Sequence, residues 1–396
     1  MKLVPKYLCS GCAACFDACG CGAISMRADG EGFLYPEIDS SKCVNCGRCT
    51  TTCSVLRPND SRQPIAVYAA RAIDDELRLV SSSGGVFSLL ARQILSQGGR
   101  VYGAAFDRTD WSVVHRSVGD EGGLEELRGS KYLQSRTTGI YRQVERDLET
   151  GCQVLFSGTP CQIAALRHYL GRDWDNLVLV DVVCHGVPSP RVWKNYLEFR
   201  SAASAEGRGS APAEGRNIRR IASRRKDCGW KRYSLSLRFA NDKEYRSVFS
   251  EDPFMRAFLA ELCNRPSCHD CQFRELRSGA DLTIGDFWGV DKCHPEMDDD
   301  RGTSLVLVNT DKGALFLKGI RNALDCEVAT FDEAVAGNSA LLASPRPHRN
   351  RKRFLKHCHS HGFDHYVAQM LKPALLMRMR SFAGRCLRRF GLLGTR

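Results

Sequence analysis

The chain has 396 residues, 43% hydrophobic and 26% charged, with 20 cysteines and a net charge of +12. That length exceeds one ordinary core, so two or three domains of a soluble globular protein are expected, and no run approaches about 18 consecutive apolar residues, which argues against a transmembrane helix. Twenty cysteines in so long a chain, with no export signal ahead of them, point away from a disulfide scaffold and towards metal ligation in a reducing cytosol.

The first element is the stretch from Cys9 to Cys53. Cys9, Cys12, Cys15 and Cys19 form one C-x2-C-x2-C-x3-C run, and Cys43, Cys46, Cys49 and Cys53 form a second. Three closely spaced thiolates can face one cluster while the fourth points elsewhere; in two-cluster bacterial ferredoxins that fourth cysteine ligates the other cluster. The expectation is therefore one [4Fe–4S] centre on Cys9, Cys12, Cys15 and Cys53, and a second on Cys43, Cys46, Cys49 and Cys19. Zinc also takes four thiolates, but its patterns pair cysteines as separated C-x2-C knuckles rather than threes. Two departures stand out. Gly20 and Ser54 replace the proline that usually follows each run, and Cys21 is either a spare thiol or a substitute ligand.

Residues 54–64, with Pro58 and Pro64, read as a linker. Strands are expected over 65–70, 101–106 and 113–118. Between the first two, Ser81-Ser82-Ser83-Gly84-Gly85 opens a helix with Phe87, Leu90 and Ile94 on one face. Such a loop either offers its N–H groups to a phosphate or is a serine N-cap after a turn. A helix over about 138–148 precedes a short strand at 154–156, which delivers Ser157-Gly158-Thr159-Pro160-Cys161 to a helix ending at Leu170. The apolar run 177–183 reads as a buried parallel strand ending in Cys184-His185-Gly186. Residues 201–217 are low in complexity and read as a mobile insertion. Arg219 to Arg232 is strongly basic, either a solvated surface or a contact for an anionic substrate or cofactor phosphates. A hairpin over 233–249, a helix carrying Phe254 and Phe258, a strand ending at Gly285-Asp286, a strand over 304–309 and a helix over 312–323 complete the body.

Cys268-x2-Cys271 is a further ligand pair, with Cys263 near it and Cys161 and Cys184 at strand ends. Spacing alone leaves open whether the fold brings any four of these together. From Pro345 to Arg396, 13 Lys and Arg stand against Asp364 alone. Leu375, Met379, Phe382, Cys386 and Phe390 recur there at helical spacing. A basic amphipathic helix is expected, set on an anionic membrane surface, on the body or on a partner. The body is neutral overall, which argues against nucleic-acid binding.

Taken in order, the cysteine runs, SSSGGV, GSKY, SGTPCQIAALR, CHGVPSP, RPSCHDC and ADLTIGDFWG resemble the coenzyme F420 hydrogenase/dehydrogenase beta-subunit family. The closer resemblance is to its branch with an N-terminal ferredoxin domain, associated with polysaccharide biosynthesis and pyruvyl transfer. The resemblance implies a multidomain α+β and α/β chain. A bacterial-type ferredoxin domain (1–60) precedes a mixed α/β flavin-binding body in two parts (64–150 and 151–340), and a basic helical tail (345–396) follows. It implies FAD near Ser83, Gly84, Gly85, Ser130, Lys131, Tyr132, Gly158, Thr159, Pro160, Gly285 and Asp286. It favours Cys161, Cys184, Cys268 and Cys271 for a third cluster, with Cys263 in reserve.

The function expected is an iron–sulfur flavoprotein oxidoreductase in the cytoplasm. It would pass electrons between its clusters and FAD and a hydride-type or small-metabolite substrate, such as an F420-like cofactor or a metabolite of cell-surface polysaccharide synthesis. Lys131, His185 or Asp286 would supply a proton or a charge near the flavin ring. The competing expectation is a non-catalytic electron-transfer subunit. Its redox partner would be a ferredoxin or a separate oxidoreductase subunit.

Overall fold

A computed structural model describes residues 3–204 and 218–372. The low-complexity stretch 205–217 and the amphipathic tail beyond 372 lie outside the described residues.

The N-terminal module is small. Strands β1 (Ile24–Ala28) and β2 (Leu34–Ile38) pair antiparallel, with Ile24 opposite Ile38. They lie between two cysteine loops that repeat one backbone path. Gly11 and Ala13 in the first run, and Asn45 and Gly47 in the second, all have positive φ. Two left-handed residues around the second cysteine of each run curl the chain tightly enough to turn three thiols inward.

The body is built on one mixed sheet of eight strands. These are β3 (Ala66–Ala72), β4 (Arg100–Phe106), β5 (Val113–Val118), β6 (Val154–Gly158), β7 (Leu177–Val182), β11 (Leu282–Asp286), β12 (Ser304–Val308) and β13 (Leu324–Ala329). Their order is β13-β3-β12-β11-β7-β6-β4-β5. The central four, β4-β6-β7-β11, run parallel, and antiparallel strands flank them on both sides. Residues 64–150 and 151–340 thus share a single sheet.

Period-two alternation sorts its core. Val178, Val180 and Leu155 pack with helix Val86–Leu95 on one face. Leu177, Leu179, Val154 and Phe156 meet helices Ile140–Glu149 and Pro160–Leu170 on the other. The basic stretch that reads as a charge run is partly a strand. Strand β8 (Ile218–Arg225) joins β9 (Ser234–Phe239) and β10 (Glu244–Val248) in a second, antiparallel sheet. Leu235, Leu237, Phe254 and Phe258 bury its apolar face with helices Pro190–Ser204 and Phe363–Met370. No helix among the described residues is long and apolar enough to cross a membrane.

The module is fixed to the body by buried polar bonds. Gly139 and Tyr141 N–H donate to the Asp17 carboxylate at 2.7 and 3.0 Å, so a residue of the module caps helix Ile140–Glu149. Arg142 returns the bond by donating to the Asp17, Phe16 and Cys19 carbonyls. Thr137 and Gln134 donate to the Cys12 and Ser10 carbonyls. Asp17→Ala leaves those N–H groups unpaired and is expected to cost about 1–2 kcal/mol. The loss would appear as a lower thermal midpoint and faster proteolysis of the 54–64 linker; an unchanged midpoint would show that water replaces the cap.

Candidate functional site

The cysteines gather in three sets. Cys15 has Cys12, Cys9 and Cys53 as its electrostatic neighbours. Cys49 has Cys46, Cys43 and Cys19. The fourth cysteine of each run therefore crosses to the other loop. In the third set, Cys161 neighbours Cys184, Cys271 and Cys268. Cys161 arrives on the first turn of helix Pro160–Leu170, which Thr159 and Gln162 open with a capping box. Cys184 follows β7, and Cys268 and Cys271 come from the 3-10 turn Pro266–Asp270 and the residue after it. Cys263 is fully buried beside Cys358 and stands apart from this set. Cys21 is exposed, its Sγ 3.6 Å from that of Cys19.

Burial pushes the Cys12 and Cys184 thiols up to about 11. Closely grouped buried thiols of this kind ionise only with a cation beside them. Their spacing bears on which cation. A tetrahedral zinc with Zn–S near 2.3 Å would hold its sulfurs about 3.8 Å apart. Among the described residues, no three of these thiols approach within 4.8 Å of one another; the trio that does is Cys293, His294 and Glu333. The three cysteine sets leave room for something larger than one ion. Two buried guanidiniums flank the third set: Arg274 donates to the Cys184 carbonyl and Arg265 to that of Cys9.

Beside the third set, at the carboxyl ends of β6, β7 and β11, opens a cavity of about 660 Å³. Such crevices are the usual ligand sites of open parallel sheets. Ser83, Gly85, Ser130, Lys131, Tyr132, Gly158, Thr159, His185, Gly285 and Asp286 all line it. Gly84 and Pro160 do not. A Cβ on Gly84 would lie 2.4 Å from the Ala70 carbonyl, so this glycine lets the loop press onto β3 and β12. Pro160 faces the third cysteine set instead.

The serine loop is held in a way that neither sequence reading anticipates. Helix Val86–Leu95 begins at Gly85 with no side-chain cap. Ser83 donates to the Thr303 carbonyl, and Ser82 Oγ accepts from both the amide and the hydroxyl of Ser130. Lys226 donates to the Ser83 carbonyl from behind.

The three titratable candidates differ in what occupies them. Lys131 Nζ donates to the carbonyls of Glu126, Leu127 and Arg128, closing the end of helix Glu121–Leu127. Burial pushes its pKa down to about 7. The Glu126 carboxylate pulls the other way, and the three carbonyls use all three ammonium protons. Asp286 is held by Arg224 and by Trp230 Nε1, the latter at 2.7 Å. His185 Nε2 lies 2.5 Å from Glu261, its ring edge-on to Phe258.

Arg224 is the residue that the sequence did not single out. It lies within the basic stretch, where Arg219 and Arg220 are exposed. Its side chain is 5% exposed, stacks on Tyr233 at 4.3 Å and lines the cavity. Its Nε and Nη2 have no hydrogen-bond partner. Two buried orphan donors beside the aromatic rings of Tyr132, Tyr233 and Trp288 suit a ligand that is planar at one place and anionic at another. By contrast Lys131→Met strands three carbonyls and is expected to cost about 1–3 kcal/mol in chemical denaturation. A wild-type midpoint in that variant would show the carbonyls finding water.

Two family models match the chain. Residues 8–55 match the family model described as 4Fe-4S dicluster domain. Residues 151–334 match the model for the C terminus of the coenzyme F420 hydrogenase/dehydrogenase beta subunit. No curated protein matches the chain. Among solved structures, a chain of the xenon-derivatised F420-reducing [NiFe] hydrogenase complex from Methanosarcina barkeri is similar at 15% identity. The match covers 78% of this chain and 91% of that one, with a TM-score of 0.46. Residues 8–55 are thus a 4Fe-4S dicluster domain, and residues 151–334 belong to the coenzyme F420 hydrogenase/dehydrogenase beta-subunit family, matching its C-terminal region.

Proposed function

We propose that the chain is an iron–sulfur flavoprotein. It would pass electrons, in either direction, between a docked redox partner, three [4Fe–4S] clusters, FAD and a small hydride-type substrate. The observation that carries this reading is a shared wall. Thr159, Val182, Val183, Cys184, Gly186 and Val187 line both the large cavity and the pocket of the third cysteine set. Ser10 likewise lines both that pocket and the one formed by the first set. The three sets and the cavity therefore form a continuous series.

Cys9, Cys12, Cys15 and Cys53 would hold one cluster, Cys43, Cys46, Cys49 and Cys19 the outer one, and Cys161, Cys184, Cys268 and Cys271 the third. A bound flavin supplies the exchange between single electrons and hydride. The chain's own residues do the rest. Arg224 meets an anionic group with its unpaired Nε and Nη2 donors, while Tyr132 and Trp288 flank a planar one. Asp286 fixes Arg224 in place. Of the three titratable candidates, His185 is the one free to move a proton, with Glu261 to hold the imidazolium. Lys131 and Asp286 act by holding backbone and guanidinium. At the other end, the outer loop faces solvent: Cys46 is exposed and Val44 is 70% exposed. An apolar contact beside an outer cluster suits the docking of a partner protein or subunit.

Anaerobic purification followed by iron, sulfide and flavin assay tests the reading. About twelve irons and one FAD per chain are expected; about eight irons without flavin would reduce it to the dicluster module alone. Cys268→Ser is expected to lose about four irons and leave the other eight in place. Loss of all twelve would instead point to a folding defect.

A further inference from the structure

Arg265 is 1% exposed and carries a guanidinium with no ordinary counter-charge. Its Nε donates to the Cys9 carbonyl at 2.9 Å, Nη1 to Gln134 Oε1 at 3.0 Å and Nη2 to the Leu34 carbonyl at 2.8 Å. All three acceptors are neutral; the guanidinium also meets the Cys9 thiol and the ring faces of Tyr35 at 4.4 Å and Phe33 at 5.1 Å. Among the described residues no carboxylate pairs with it. A buried ion without a counter-charge is costly, so a negative group close by would stabilise this guanidinium.

Two cysteine sets adjoin it. Arg265 acts electrostatically on both Cys9 and Cys268, one thiol from the first set and one from the third. It also lines the pocket of the third set. Gly11, between Cys9 and Cys12, makes room for the fork: a Cβ there would lie 2.6 Å from both Nη atoms. The loop is therefore shaped around the guanidinium as well as around its own cysteines.

We propose that Arg265 is a redox-positioning residue shared by two neighbouring clusters, an inference that rests on the third cluster proposed above. Four thiolates leave each [4Fe–4S] site net negative, and one-electron reduction adds a further negative charge. A fixed cation between them favours the reduced form of each and raises both potentials relative to the outer cluster. An electron entering at the solvent-facing loop is thereby drawn inward to the boundary between module and body. The anionic clusters in turn supply the counter-charge that the buried guanidinium lacks.

The test is an EPR-monitored redox titration of the full chain, purified anaerobically, as wild type, Arg265→Gln and Gln134→Glu. The second variant sets a carboxylate against Nη1 and neutralises the cation where it stands. In both, the two inner clusters should become harder to reduce. Their reduced-to-oxidised ratio at the wild-type midpoint should fall tenfold or more, equivalent to about 59 mV for one electron, while the outer cluster keeps its potential. Either variant with full iron and unchanged inner potentials overturns the proposal. Loss of iron from both variants also overturns it, by making Arg265 a structural brace. The wild-type iron count tests the third cluster separately: eight irons would sink that cluster, whatever the variants do at Cys9.

Discussion

The arrangement depends on burying polar groups at the seam between a cysteine-rich module and a sheet. Loops that hold thiols inward have little apolar surface to offer a neighbour, so hydrophobic packing alone cannot fix them. The seam uses directed bonds instead. Backbone carbonyls of the cysteine loop are covered by Gln134, Thr137, Arg142 and Arg265, and one carboxylate of the module, Asp17, ends a helix of the body. Most of these bonds are partly buried and that of Arg265 to Cys9 fully so, where an unmade partner costs more than a made one gains. The result is a fixed separation between the module's centres and the body, which passive contact between two domains would not give.

The sheet supplies the other half of the geometry. Because β4, β6, β7 and β11 run parallel, their carboxyl ends all open on one edge, and the loops that leave them converge. Thr159 and Cys161 leave β6, Cys184 and His185 leave β7, and Asp286 ends β11. One crevice therefore receives thiols on one side and serine, arginine and aromatic side chains on the other. A strand end needs only a residue or two to switch from one side to the other, which is why the two pockets share a wall.

Much of this was legible in the sequence. The two cysteine runs state their own ligand exchange, since only three thiols of C-x2-C-x2-C-x3-C can face one centre. The apolar runs at 177–183 and 304–309 are unbroken because both faces of a central strand are covered. Other features are invisible locally. Strand β8 carries Arg219, Arg220, Arg224 and Arg225, so its charge hides a strand whose buried residues are Ile218, Ile221 and Ser223. Nothing in the spacing of residues 161, 184, 268 and 271 shows that they meet, because contacts across a parallel sheet depend on topology and not on period. Arg224 and Arg265 look like any surface arginine until their burial is known.

Strand β3 sits between β12 and β13, partners that lie more than two hundred residues further along the chain. Such pairing carries a high contact order and must wait until nearly the whole body has been synthesised. The cysteine loops, by contrast, close within the first 53 residues. As the polypeptide leaves the ribosome, then, a nascent ferredoxin module is complete long before the sheet that anchors it. The two N-terminal cysteine sets are thus in place well before Cys161, Cys184, Cys268 and Cys271, which meet only as the sheet closes.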